Sequence, residues 1–292
     1  MRMWHEKMKS FEPKENVILV VDGTNLIYRN YFVHSYRKTK SGIHTGGLYG
    51  TIRSLQSYIN TFNPKQVYIC FDKSEYTFRS KMYPDYKMNR VDTDVELLNQ
   101  FSMLREYCNL VNLPFIEIDL FEADDIIGSL SCNAEKYNLH PYVVSGDKDL
   151  LQLIHKGIDV MYLSNKGPII YNENYFEEEY NIKIEQFIDY KALVGDPSDN
   201  IPGIPGIGKK TAAKLLGLYN TLDGIYENID DLKGKQKQAI MDNKDKVFLF
   251  KELLTIKCNM DLNYNDYFGR YIDEGFNLDN DLVNEFLKEL EI

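Results

Sequence analysis

A chain of 292 residues, 43% of them apolar or aromatic, is long enough to bury a sizeable core as one large domain or two small ones. Its formal charge of −10 argues at first against a nucleic-acid partner. No apolar run approaches the ~18 residues of a membrane span, and the mixed-charge stretch Met1 to Asn16 lacks the apolar core of a secretion signal. Cys70, Cys108, Cys132 and Cys258 are scattered with no CxxC pair, which argues against a disulfide framework or a cysteine zinc site and fits a reducing cytoplasm.

In chain order, the apolar run Val17–Val21 has the length and composition of a buried strand and ends at Asp22. A helical stretch follows over Tyr49–Asn60. A second strand over Val67–Phe71 runs into Asp72, and helical stretches over Val95–Asn109 and Ala123–Tyr137 follow it. The strand Tyr142–Val144 runs into Ser145-Gly-Asp147. Strands alternating with helices predict an α/β fold with a mainly parallel sheet. Ligands of such folds collect at the carboxyl ends of the strands, so Asp22, Asp72 and Asp147 are expected on one edge. Beyond about Asn181 the pattern becomes helical, interrupted by the Gly/Pro-rich run Asn200–Gly208; residues 228–231 read as a loop and Lys233–Lys237 as a solvated helix start.

Carboxylates recur in five places: Asp22; Asp72; Glu122-Ala-Asp124-Asp125 at an expected helix start; Asp147-Lys-Asp149; and Asp196-Pro-Ser-Asp199. One or two acids at a helix N-terminus are ordinary capping. Many carboxylates brought together repel one another unless a cation neutralises them. Oxygen donors without histidine favour Mg²⁺ or Mn²⁺ over zinc. Two such ions about 4 Å apart suit phosphodiester hydrolysis. With those nine acids set aside, 35 acidic side chains face 34 basic ones, a near-neutral scaffold. Two windows are locally positive: Lys73–Arg90 (Lys73, Arg79, Lys81, Lys87 and Arg90 against Glu75 and Asp85), and Ile201–Gly217 (Lys209, Lys210 and Lys214 with no acid).

In the second window Gly203, Gly206 and Gly208 form a tight turn opening a helix at Lys209-Lys210-Thr211. Backbone N–H groups and lysines there predict a contact with nucleic-acid phosphate that carries no sequence preference. In the first, Phe78, Arg79, Lys81, Tyr83, Tyr86, Lys87 and Arg90 interleave aromatic and basic residues, as single-strand binders do.

The motifs Val21-Asp-Gly-Thr-Asn25, His44-Thr-Gly-Gly-Leu-Tyr-Gly50, Phe71-Asp72, Phe78-Arg79 through Arg90, Glu122-Ala-Asp-Asp125, Ser145-Gly-Asp-Lys-Asp149 and Gly195 to Ala212 stand in this order over about Val17 to Leu216. On them the chain resembles the 5′ nuclease domain of bacterial DNA polymerase I and the stand-alone phage 5′–3′ exonucleases and flap endonucleases. No polymerase-like sequence follows, so the phage-type enzyme is the expectation. The resemblance implies a PIN-like fold with a helical arch and a helix–three-turn–helix. It divides the chain into an N-terminal extension (1–16), a nuclease core (17–185) with the arch at about 73–110, and a helical DNA-binding region (186–292). It implies that Asp22, Asp72, Glu122 and Asp124 hold or orient one metal ion, and that Asp125, Asp147, Asp149, Asp196 and Asp199 serve a second. Lys87 would stabilise charge at the scissile phosphate, Arg79 and Arg90 would belong to the arch or gateway, and Tyr86 would stack on a base. The turn at Gly206 and Gly208 would hold duplex DNA with a K⁺ ion.

The expected function is metal-dependent 5′–3′ exonuclease and flap endonuclease action on branched, nicked, gapped or 5′-ended DNA, with Mg²⁺ or Mn²⁺ as cofactor. Replication is the expected setting, with flaps and RNA primers as targets and the monomer as the working form. Two alternatives stand beside it: a DNA-junction-binding protein with weak chemistry, which all nine filled carboxylate positions disfavour, and a PIN-type ribonuclease, which the Gly206–Gly208 turn disfavours.

Overall fold

The computed structural model describes residues 14–74 and 76–292, with the backbone alone at 155 and 156. Residues 1–13 of the expected N-terminal extension, and Glu75 of the basic window, lie outside the described residues. Strands β1 (Val17–Asp22), β2 (Gln66–Cys70), β3 (Phe115–Ile116), β4 (His140–Ser145), β5 (Asp159–Ser164) and β6 (Gly167–Tyr171) form one sheet in the order β3-β2-β1-β4-β5-β6. All neighbours are parallel except the edge pair β5–β6. The predicted α/β class with a mainly parallel sheet is therefore correct. Strands β3, β5 and β6 were not expected. β3 has two residues, and the β5–β6 hairpin mixes polar and apolar residues at an edge, so neither gives the continuous apolar signal of a buried strand.

The helices are α1 (Gly23–Val33), α2 (Gly46–Phe62), α3 (Phe78–Met82), α4 (Val95–Leu110), α5 (Ala123–Ala134), α6 (Glu173–Tyr180), α7 (Phe187–Val194), α8 (Lys209–Tyr219), α9 (Leu222–Glu227), α10 (Gly234–Asp242), α11 (Lys244–Leu254), α12 (Tyr271–Glu274) and α13 (Asp281–Glu289). No helix among the described residues is long and apolar enough to cross a membrane.

Alternate residues of β1 serve two cores. Val17, Leu19 and Val21 face a layer containing Leu26, Leu48, Ile52, Leu104 and Val283. Ile18 and Val20 face Ile126, Leu130, Leu151 and the C-terminal helical region. Burial on both faces is why β1 is apolar without alternation. Chain crossovers leave β1 towards β2 on one side and reach β4 on the other, which opens a crevice at the carboxyl ends of these central strands.

Part of the segment 73–110, expected to form the arch, is core. Leu97, Phe101, Leu104 and Cys108 make a helical stripe that is buried against the sheet layer, so most of α4 is core. Tyr76, Met88, Val91, Val95 and Leu98 of this range are exposed.

The hairpin carrying Asp196 and Asp199 depends on two glycines. Gly195 (φ +88°) and Gly203 (φ +67°) pass so closely that a Cβ on Gly203 would sit 2.4 Å from the Gly195 nitrogen. Their crossing allows the Asp196–Ile201 pairing, with N···O distances of 2.7 and 2.8 Å. Gly206 (φ +82°) has open space where a Cβ would point. Gly203→Ala is therefore expected to lower stability by more than ~3 kcal/mol, and Gly206→Ala by ~1–2 kcal/mol from left-handed strain alone. Urea midpoints of the two variants check this; equal losses would contradict the close crossing.

Candidate active site

The parallel register aligns the strand ends. Asp22 pairs with Cys70 and Val21 with Val144, which places Asp22, Asp72 and Asp147 at or just past the ends of three adjacent strands. Asp22 caps α1, accepting from the Asn25 N–H (2.9 Å) and from the Ser145 hydroxyl (2.7 Å). Asp72 accepts from the Ala123 N–H at the start of α5 (2.8 Å), while its own N–H donates to Thr24 Oγ1 (2.9 Å). Asp147 accepts from the Asp149 N–H (2.8 Å), and the Asn25 side chain accepts from the Gly146 N–H (2.9 Å). A web of short polar residues thus fixes the carboxylates before any ligand arrives.

Among the described residues no Lys, Arg or His forms an ion pair with Asp22, Asp72, Asp124 or Asp147. Burial, with Asp72 and Asp147 adding like charge, pushes Asp22 up to about 7. Burial, Asp147 and Asp22 push Asp124 well above the usual carboxylate range. Asp147 thus belongs electrostatically with Asp22 and Asp124 as well as with its neighbour Asp149.

Asp149, Asp196 and Asp199 form a second cluster, with one oxygen of each within 4.8 Å of the others. Lys191 on α7 reaches into it, bonding Asp149 and lying 2.6 Å from Asp196 Oδ2. Burial raises Asp149 to about 6 even against Lys191. Burial also raises Asp199, whereas Asp196 is held below its ordinary value because Lys191 and Ser198 outweigh its burial. Lys191 was not among the expected residues; a lysine within a short helix carries no sequence signal of its own.

Glu122 connects the first cluster to a cationic group. Its side chain accepts from Lys87 Nζ (2.8 Å) and the Tyr86 hydroxyl (3.2 Å). Burial alone would raise its pKa, but Lys87 and Arg79 more than offset it and hold Glu122 below the usual range. Lys87 has φ +56°, a left-handed conformation uncommon for lysine, and its N–H donates to the Asp199 carbonyl (3.1 Å). Arg90 lies 3.3 Å from Asp199 and stays half exposed.

Three expectations meet a different arrangement. Tyr86 is 5% exposed, with its hydroxyl 3.2 Å from both Glu122 and Asp199, so it is packed beneath the site and has no open face for a base. Arg79 is 2% exposed and pairs with Asp125, which is fully buried, so the pair lies in the interior and not in a gateway. Gly203 is buried against Gly195 and offers no phosphate contact. Gly206, Gly208, Lys209 and Lys210 are exposed at the start of α8, with Thr211 half-buried beside them.

Beside α8 lies a cleft of about 620 Å³. Lys148, Lys209, Lys210, Lys214 and Tyr180 line it. Lys148, which stands between Asp147 and Asp149 in sequence, pairs across the cleft with Glu179 (2.9 Å), the acid among its lining residues.

Raised carboxyls make the cation-free protein sensitive to pH. Between the ordinary carboxyl value of 3.8 and about 7, folded Asp22 holds a proton that the unfolded chain has released. This contribution to stability is complete below the lower value and is lost as pH rises through the upper one. In EDTA the melting temperature is expected to fall from pH 5 to pH 8, and to fall less in Asp22→Asn; an equal fall in both would contradict the burial of this charge.

Oxygen donors without cationic partners, a second trio beside them, and an adjoining lysine-lined groove together suit divalent-cation chemistry on a phosphodiester. Comparison with known proteins agrees. Residues 17–181 match the family described as 5'-3' exonuclease, N-terminal resolvase-like domain. Residues 182–270 match the 5'-3' exonuclease, C-terminal SAM fold. DNA polymerase I of Caldicellulosiruptor bescii is 37% identical over 250 residues, covering 84% of this chain and 29% of that protein. The chain thus spans less than a third of the polymerase relatives it matches. The 5'-3' exonuclease of Buchnera aphidicola is 33% identical over 258 residues, covering 86% of this chain and 90% of the relative. The solved T5 5'-exonuclease with bound zinc shares the fold, with a TM-score of 0.70 at 23% identity over 94% of this chain and 98% of that one. A bacteriophage T5 flap endonuclease, solved in a complex with DNA and metal ions, gives 0.68 at 24% identity over 94% and 98%. The chain belongs to the 5′-3′ exonuclease family and is a nuclease.

Proposed function

We propose that this nuclease hydrolyses DNA phosphodiesters near 5′ ends and single-strand/duplex junctions, acting as both a 5′–3′ exonuclease and a flap endonuclease, with two divalent ions. The observation that carries this reading is the crowd of carboxylates Asp22, Asp72, Asp124 and Asp147, two of them pushed upward by burial and mutual repulsion, beside the trio Asp149, Asp196 and Asp199. The donors are all oxygens, which fits Mg²⁺, with Mn²⁺ as a substitute. In place of the split expected from the sequence, Asp147, whose charge raises Asp22 and Asp124, would join them and Asp72 at one ion. Asp149, Asp196 and Asp199 would hold the other, and Glu122, paired with Lys87, would orient the site without binding an ion directly. When bound, the pair supplies Lewis acidity that activates the attacking water and stabilises the leaving oxygen.

The rest is work for the chain. Lys191 offsets Asp149 and Asp196, so the second cluster tolerates its own charge. Glu122 and the left-handed turn at Lys87 aim that ammonium along the acidic edge, where it would neutralise charge developing on the scissile phosphate. Arg90 would receive a phosphate on the 5′ side. Gly206, Gly208 and α8, with Lys148, Lys209, Lys210 and Lys214, would track the duplex through its phosphates, a K⁺ ion bound at the turn assisting. Residues 17–185 would carry the chemistry and 186–292 the duplex.

Likeness to a segment of DNA polymerase I supports a role in flap or RNA-primer removal during replication in the cytoplasm. Cleavage of a 5′-flapped duplex with Mg²⁺, compared with an unflapped duplex and single-stranded RNA, tests the substrate class. Cutting at the junction is expected; preferential cutting of the RNA would overturn it.

A further inference from the structure

One of the carboxylates that the sequence resemblance placed among the metal ligands is engaged otherwise. Asp125 accepts four hydrogen bonds. Arg79 Nη1 donates to its Oδ2 (2.6 Å) and Nη2 to its Oδ1 (2.8 Å); the Lys257 N–H donates to Oδ1 (2.9 Å) and the Glu122 N–H to Oδ2 (3.3 Å). A carboxylate has about four lone-pair sites, so this set is complete. Arg79 is equally committed. Its Nε donates to the Leu253 carbonyl (2.7 Å) and Nη2 also to that of Thr255 (3.1 Å). Freeing Asp125 for a cation would strand a buried guanidinium, a change that proteins resist strongly.

The pair also lies at the crossing of three segments: α3, the start of α5, and the chain leaving α11. From Arg79, backbone bonds run through Tyr83 (N to Arg79 O, 2.9 Å) to Tyr86 (N to Tyr83 O, 2.9 Å), next to Lys87. From Asp125 the path runs to the Glu122 backbone. Glu122 and Lys87 then meet at 2.8 Å, which closes the circuit.

We propose that Arg79 and Asp125 form an internal clamp that positions Lys87 against Glu122, and that Asp125 stands outside the metal-ligand set. Arg79 is thereby a positioning residue that touches neither DNA nor cation. The geometry explains the need for arginine: the three donors of a lysine sit on one nitrogen and cannot make the bidentate pair with Asp125 and also reach the Leu253 and Thr255 carbonyls.

The inference rests on the metal-dependent reading above, so its test separates the two. Mn²⁺ binding without DNA is measured by calorimetry for the wild type, Asp125→Asn and Asp124→Asn. Turnover of a flapped duplex is measured for the wild type, Asp125→Asn and Arg79→Lys. Asp125→Asn is expected to keep the wild-type Mn²⁺ stoichiometry and midpoint, while Asp124→Asn loses about tenfold or more in affinity. Arg79→Lys is expected to lose about tenfold in kcat with KM for DNA unchanged, as a displaced Lys87 implies. Asp125→Asn losing Mn²⁺ as Asp124→Asn does would make Asp125 a ligand and overturn the clamp. A raised KM at constant kcat in Arg79→Lys would place Arg79 on the DNA and do the same. Should Asp125→Asn not fold, Arg79→Lys alone decides through this split. A wild type that binds no Mn²⁺ would instead overturn the metal-dependent reading.

Discussion

Asp147→Asn is expected to lower the rate of DNA cleavage by a thousandfold or more, about 4 kcal/mol of barrier, while leaving the fold intact. Asp147 follows the end of β4, raises both Asp22 and Asp124 through its charge, and also adjoins the Asp149 trio. Removing that one charge would weaken both proposed cation positions together. The backbone has little reason to move, because an asparagine oxygen can still accept from the Asp149 N–H, now at 2.8 Å. The readouts are single-turnover cleavage with Mg²⁺ and melting in EDTA. Loss of cleavage with an unchanged or raised melting temperature is the expected pair. An active Asp147→Asn enzyme would remove Asp147 from the chemistry.

Lys87→Ala is expected to reduce the single-turnover rate by roughly a hundredfold to a thousandfold, the range seen when one transition-state donor is removed, with DNA affinity nearly kept. In the free protein Lys87 is paired with Glu122 at 2.8 Å and lies 3.8 Å from Asp199. Attraction from these carboxylates outweighs burial and keeps the ammonium charged well above its ordinary pKa. It is therefore a fixed cation beside the acidic edge, not one contact among many along the duplex. Weakened binding at an unchanged rate would assign Lys87 to DNA affinity alone.

Much of this site is legible in the chain because local physics and topology coincide. The runs ending at Asp22, Asp72 and Asp147 are apolar because their strands are buried on both faces, and a parallel sheet brings such ends together. The turn through Gly195, Gly203 and Gly206 is legible because left-handed backbone selects glycine. Sequence does not say which partner each side chain finds. Arg79 and Asp125 lie 46 positions apart, and nothing local distinguishes an arginine in a gateway from one locked to a buried aspartate. Tyr86 sits among basic residues and reads as a stacking platform, yet Glu122 and Asp199 draw its hydroxyl inward. Lys191 draws no expectation from sequence, because the aspartates it joins, Asp149 and Asp196, come from different segments. Gly203 and Gly206 look alike in sequence and differ only in whether another backbone passes beside them.

Cation-dependent cutting of DNA at a junction by the acidic edge is tested most directly by incubating the wild-type protein with a 5′-labelled flap duplex in Mg²⁺, in Mn²⁺ and in EDTA. A product cut at the single-strand/duplex junction is expected with either metal and none in EDTA. Tight binding of the duplex without cleavage in either metal, or cleavage that persists in EDTA, would contradict it.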